Sequence, residues 1–320
     1  MSEADPIAPE VPIPAFDAPP GSPFSWLHDR AVAIRELMLA HGAVLVRGLP
    51  IVGPEGLAEA RSALGIGIHT PAEAFTHRRD YGDGIVSPIS WPDERLLCPF
   101  QESSYSTAFP SVVLTACVTP PDHGGQARLA DTRRIADHLP AHLVDRVRAE
   151  GWTLTRVFHR GFGLSPQEAF SATDSEDLER TLDAAEIEYH WLPNGTLRTT
   201  RHRPGVLKHP VTGEECWFNQ LSFLNAGSLD PAELAVMTKA FGKNIPMDTF
   251  FGDGSPLSEE DLTALQRAYD TVAFGLPWHR GDLLIADNII MAQGRSSFEG
   301  LPEFLLALGD GIELGSVDGT

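Results

Sequence analysis

The sequence predicts a mainly β protein, a sandwich or barrel of short strands with helices inserted between them. Three observations carry that prediction. Short apolar runs rich in β-branched residues recur along the chain, each bounded by Pro or Gly. Longer stretches with apolar residues at helical spacing lie between those runs. No internal repeat and no low-complexity linker interrupts the interior, so the 320 residues are expected to form one domain.

The first element is a proline-rich arm over residues 1–22, ahead of a single domain at 23–320. Leu27, Ala31, Ile34 and Met38 recur at helical spacing, which predicts a helix over 23–41 with Gly42 as its stop. An apolar strand over 43–46 follows and ends at Arg47-Gly48, and strands are expected at 85–89 and 112–118. A helix over 135–150 turns Leu139, Leu143, Val144 and Val147 inward and is capped by Gly151; another lies at 175–185. Short strands are expected at 196–200, 205–207 and 216–219, separated by turns such as Pro193-Asn194-Gly195. Ser258 through Asp261 form a capping box opening a helix to about residue 270. Strands at 282–286 and 304–308 close the fold.

Composition narrows the partners. The chain is 42% hydrophobic, 21% charged and 8% aromatic, an ordinary globular balance. Its formal charge of −20 is spread along the chain, which argues against nucleic acid, since phosphate contacts need clustered Lys and Arg. No apolar run approaches the ~20 residues of a membrane span. The start has neither a basic segment nor an apolar one, so no secretory signal is visible and a cytoplasmic location is expected. Cys98, Cys117 and Cys216 show no CxxC spacing and are expected to be reduced, buried thiols. The oligomeric state is not legible.

Several ordered blocks then carry a resemblance. They are HGAVLVRGLP (41–50), PPDHGGQARLADTRRI (120–135), RPGVLKHPVTGEECWFNQ (203–220), FFGDGSPLSEE (250–260) and WHRGDLLIADNIIMAQGRSSFEG (278–300). Across residues 23–312 the chain resembles the TauD/TfdA-type iron(II), 2-oxoglutarate-dependent dioxygenases, in particular the natural-product branch. The resemblance implies a double-stranded β-helix, or jelly roll, of the clavaminate-synthase kind. It also implies a facial triad of two histidines and a carboxylate on Fe(II), with an arginine and a threonine on the cosubstrate.

Laid on that pattern, the sequence departs at linked positions. The first histidine position is Phe100, the carboxylate position is Glu102, and the second histidine position is Gln293. The arginine positions hold Pro302 and Glu303, and the threonine position after Gly124-Gly125 holds Ala127. Phe100 ligates nothing, Gln293 offers a neutral amide, and Glu303 would repel a carboxylate. The expectation is therefore a chain with no metal ligands and no cofactor.

Glu102, partly desolvated beside Phe100, is the candidate general acid or base, against a relic carboxylate that is merely paired or solvated. Arg295 and Arg203 are candidate anion-binding groups, with structural ion pairing as the alternative. Gln293, Asn219 and Gln220 are candidate substrate-orienting groups, against a polar space-filler for Gln293 and a strand-end hydrogen bond for Asn219, and Phe100 and Ala127 complete the expected lining. Trp217 and Phe218 are read as core, and His209 as structural. His159, His202 and His279 match none of the metal positions, and His77 and His123 read as loop residues. Ser103 and Ser104 flank Glu102 without a G-x-S-x-G elbow, so no serine nucleophile is expected. Three functions follow in order: a metal-independent, non-redox step on a small amino-acid-derived or carrier-bound intermediate of bacterial specialised metabolism; a binding protein without turnover; and an oxygenase with unconventional ligands.

Overall fold

The computed structural model describes residues 12–316. A seven-stranded sheet runs Ala15–Asp17, Ala43–Arg47, Leu283–Asp287, Ala108–Thr119, Glu303–Glu313, Ile85–Val86, Asp80–Gly82 in spatial order. A four-stranded sheet of Phe274–Leu276, Ala127–Asp131, Met291–Arg295 and Leu97–Phe100 faces it. The interleaved order, in which strands far apart in sequence become neighbours, is that of a double-stranded β-helix. A third sheet, Glu188–Trp191, Leu197–Arg203, Trp152–Phe158 and Met247–Phe251, lies outside this pair.

Strand pleating explains the layers. Along Ala108–Thr119, Val112, Leu114, Ala116 and Val118 share one face and pack on Leu27, Ile34 and Met38 of helix Pro23–His41. Val113 points the other way and joins Leu306 and Leu308 inside the sandwich. Between the sheets, Ala43, Leu45, Leu284 and Ala286 meet Ala127, Leu129, Leu276 and Met291 in a second core. The alternation therefore buries both faces of the large sheet, one under helices and one under the small sheet.

Most expected elements are present, and the differences have local causes. Residues 1–11 of the expected arm lie outside the described residues, but part of the remainder is structured: Ala15–Asp17 pairs in parallel with Leu45–Arg47, and Ile13 and Ala15 are buried. The helix expected over 135–150 is instead one 3₁₀ turn, Ala136–His138, followed by helix Ala141–Glu150. Pro140 causes the break, because its ring fixes φ and lacks the N–H a continuous helix needs. The strand expected over 85–89 shrinks to Ile85–Val86, and that over 304–308 extends to Glu303–Glu313. The Ser258 capping box is present and opens Glu259–Val272. Helices Pro54–Ala63 and Pro231–Phe241 and the wholly buried strand Trp152–Phe158 were not among the expected elements. Among the described residues no helix is long and apolar enough to cross a membrane.

Candidate functional site

The site grows from the end of strand Leu97–Phe100, which pairs antiparallel with Met291–Arg295 so that Phe100 lies opposite Gln293. Gly294 permits the pairing: a Cβ there would lie 2.3 Å from the Leu97 carbonyl oxygen. Beyond Phe100 the side chains alternate. Gln101 turns inward, fully buried, and its amide donates to the Trp217 carbonyl at 2.8 Å. Glu102 turns back to the side of Phe100, as a two-residue spacing requires. Ser103 then adopts a left-handed conformation (φ 57°) that bends the chain away from the strand.

Asn288 holds Glu102 from behind. Its side-chain oxygen accepts the Glu102 N–H at 2.8 Å, and its amide donates to the carbonyls of Glu102 and Pro110, each at 2.8 Å. The buried Asn288 therefore satisfies both backbone groups of the candidate acid–base residue. Gln220 braces the next turn by donating to the Gln101 carbonyl (2.8 Å) and Ser104 Oγ (3.0 Å). Asn288 was not expected to act on Glu102, and Gln220 was expected to orient substrate rather than to brace this turn. The Asp287-Asn288 pair within the ADNIIMAQGR block was the signal available for Asn288.

Glu102 is not an isolated carboxylate. One Arg78 guanidinium nitrogen donates to both of its oxygens, at 2.8 and 3.0 Å, with both side chains mostly buried. Arg78 lies in the loop sequence His77-Arg78-Arg79-Asp80, where no periodicity marks one arginine over the next. Three cavities meet here. One of about 110 Å³ lies between the two sheets and is lined by Phe100, Glu102, Thr115, Ala127, Gln293 and Phe304. A second, of about 360 Å³, shares Phe100 and Glu102 and includes Arg78, Trp91 and Phe223. A third, of about 290 Å³, shares Phe100 and includes Asn219, Phe223 and Tyr269.

The remaining expected site residues divide. Phe100, Glu102, Gln293 and Ala127 line one cavity, and Thr115 Oγ1 lies 3.4 Å from Gln293 Oε1. Arg295 lines the first cavity, but its guanidinium is committed to main-chain carbonyls: Arg95 and Ser296 through one nitrogen, Trp91 and Pro92 through the other. The guanidinium is thus a loop anchor, and among the described residues it forms no ion pair with Asp287, Glu102 or another acid. Arg203 is displaced from the site altogether. It is buried against the carbonyls of Tyr105, His202 and Ala185 and lines none of the three cavities. Burial, and the neighbouring Arg201 charge, bring its pKa down to about 10. Asn219 lines the third cavity, yet its amide donates to the Gly205 carbonyl at 2.7 Å and its oxygen accepts the Leu221 N–H at 3.1 Å. It ties a strand end rather than facing Glu102.

Two buried polar clusters support the site. His209 Nδ1 accepts the Thr212 N–H at 3.1 Å, so in the neutral ring Nε2 carries the proton it gives to Asp287, 3.0 Å away. Asp287 in turn accepts the N–H groups of Ile289 and Ile290 and fixes the turn leading to Gln293. Behind the second cavity, buried Glu73 bonds both Arg156 and Arg201. Burial opposes the Glu73 charge, but the two guanidiniums outweigh it and lower its pKa. Arg156 is shifted down as well, by burial and, after the opposing pull of Glu73, by Arg201: two cations share one carboxylate.

Comparisons with known proteins agree with this fold. Residues 5–307 match the taurine catabolism dioxygenase TauD, TfdA family. The dapdiamide synthesis protein DdaC of Enterobacter agglomerans is 28% identical over 280 residues, 87% of this chain and 85% of that one. An asparagine oxygenase solved with Fe(II), 2S,3S-3-hydroxyasparagine and succinate superposes with a TM-score of 0.52 at 17% identity, covering 89% of this chain and 79% of the other. PvcB, an Fe, alpha-ketoglutarate dependent oxygenase from an isonitrile synthetic pathway, gives 0.51 at 14%, covering 89% and 82%.

These matches correct one expectation. A chain without a cofactor was expected, but the family and the solved relatives point to iron and 2-oxoglutarate, and that expectation does not stand. The side chains present do not fit the group as those enzymes would hold it. Where a facial triad needs two imidazoles, this site has the Phe100 ring and the Gln293 amide, and the oxygens of its carboxylate already accept from Arg78. Among the described residues no three His, Cys, Asp or Glu side chains converge on one point. The chemistry derived below therefore uses the chain's own groups.

Proposed function

The chain belongs to the TauD, TfdA family, and from that premise we propose that it is a natural-product enzyme moving a proton on a small amino-acid-derived compound, free or carrier-bound. The reaction class is a non-redox cyclisation, elimination or isomerisation. One observation carries the reading: among the described residues Glu102 is the only acid lining both the inter-sheet cavity and the larger aromatic one.

The groups divide the work. Glu102 accepts a proton from the substrate and returns it, at another atom or to a leaving group, so no electrons are exchanged. Asn288 fixes its backbone, and Arg78 balances its charge and offers its guanidinium to a substrate carboxylate. Thr115 and Gln293 supply a hydroxyl and an amide for a carbonyl oxygen of the substrate. Positioned proton transfer of this kind supplies about 10²–10⁴-fold in rate. The similarity to a protein named for dapdiamide synthesis supports an amino-acid-derived substrate.

The test incubates the protein with a panel of amino acids and N-acyl amino acids and reads products by mass. The reading expects an isomer, or a product short of one water or ammonia, which disappears in Glu102→Gln. A product carrying an added oxygen and formed together with succinate would replace it with an oxygenase. Full turnover by Glu102→Gln would remove Glu102 from the chemistry.

A further inference from the structure

Resting on that reading, we infer that the substrate carries a planar aromatic or conjugated group, seated against a wall built from Phe100, Phe223 and Trp91. Phe100 and Phe223 stack with ring centroids 4.8 Å apart and planes 12° apart, and Trp91 lies 5.6 Å from Phe223 at 45°. Phe75 and Tyr105, 4.0 Å apart, stand on the lining of the same 360 Å³ cavity.

These rings differ from the protein's core aromatics. Trp152, Trp217, Phe109 and Phe218 are at most 1% exposed, whereas Phe75, Trp91, Phe100 and Phe223 are all only half-buried. Their uncovered surface therefore lies on a cavity rather than in packing. Several apolar rings left part-bare around one space are costly unless something covers them. An aliphatic group would cover area, but a planar one also gains the directional attraction of stacked or edge-on rings.

Phe100 gives the wall its location. It lines all three cavities, so its ring stands at their junction, at the position where the resemblance places a histidine. The polar groups of the same cavity set the orientation. Arg78 and Glu102, bonded to one another on the cavity's lining, suit the carboxylate and the reacting hydrogen of an amino acid derivative, leaving its side chain to the rings.

The experiment titrates the full chain with N-acetyl-phenylalanine, N-acetyl-tyrosine, N-acetyl-leucine and N-acetyl-asparagine by calorimetry. It then repeats the series with Phe223→Leu, which keeps apolar bulk and removes the ring. The aromatic compounds should bind about 10-fold more tightly than the leucine one, as a ring–ring gain of roughly 1.4 kcal/mol implies. The Phe223→Leu variant should lose that preference, binding the aromatic and the leucine compounds within a few-fold of one another. Equal binding of aromatic and aliphatic compounds, or a preference unchanged in Phe223→Leu, overturns the aromatic wall and leaves the Glu102 reading standing. Binding of none of the four overturns both.

Discussion

Removing the Asn288 side chain tests how the site is held. In Asn288→Ala the Glu102 N–H and the carbonyls of Glu102 and Pro110 lose their partners together. Each buried backbone group left unmatched costs about 1–3 kcal/mol. Water entering the vacated volume recovers part of that, so the net loss should be about 3 kcal/mol. Asn288 is 1% exposed, so screening does not soften the effect. Urea unfolding followed by tryptophan fluorescence should show a lower midpoint with an unchanged slope, since the same surface is exposed on unfolding. Turnover should fall at least 10-fold at temperatures where the variant is fully folded, because Glu102 loses its backbone clamp. A destabilisation below about 0.5 kcal/mol, within the range of ordinary surface changes, would refute the assignment of Asn288 as the clamp.

Three further outcomes are expected. Glu102→Gln should abolish product formation at least 100-fold while leaving ligand affinity within a few-fold, measured by turnover and calorimetry on the same preparation. Glu73→Gln leaves Arg156 and Arg201 buried without a carboxylate and should destabilise by about 3–5 kcal/mol in urea melts. Glu73 also has a pH signature. Its folded pKa lies below the unfolded value of 4.5, so its contribution is present above that value and is lost as pH falls through the folded pKa. Acid unfolding of Glu73→Gln should therefore be less steep below that pH than in the unaltered protein. Burial pushes the thiols of Cys117 and Cys216 up to about 12, so neither should react with iodoacetamide at pH 8 until the chain is unfolded.

Local chemistry made much of the fold legible. Helix Pro23–His41, with its glycine stop, and the Ser258 capping box depend on neighbours in sequence, and both are where the spacing puts them. Elements set by distant partners were harder. Strand Trp152–Phe158 contains Thr153, Thr155 and Arg156 and reads as polar, yet its seven residues are all buried because Glu73 satisfies Arg156 from 83 positions away. The site divided along the same line. Phe100, Glu102 and Gln293 converge because a strand pleat and one strand pairing fix them, and both follow from the ordered blocks of the sequence. Arg78 reaches Glu102 from a loop whose path no periodicity records. Arg295 and Arg203 look free in sequence because carbonyl partners, unlike carboxylates, leave no mark on residue type. The expectation of a chain without a cofactor came from residue types at five positions, whereas the match over residues 5–307 is to a family of dioxygenases.

The most direct test of the Glu102 proposal is a single mass spectrum of the product formed in D2O under oxygen-18 gas, with 2-oxoglutarate present. Proton transfer through Glu102 predicts a product with no oxygen-18 that vanishes in Glu102→Gln, and that gains solvent deuterium where the proton is returned to carbon, as in an isomerisation. Oxygen-18 in the product or in accompanying succinate would contradict it.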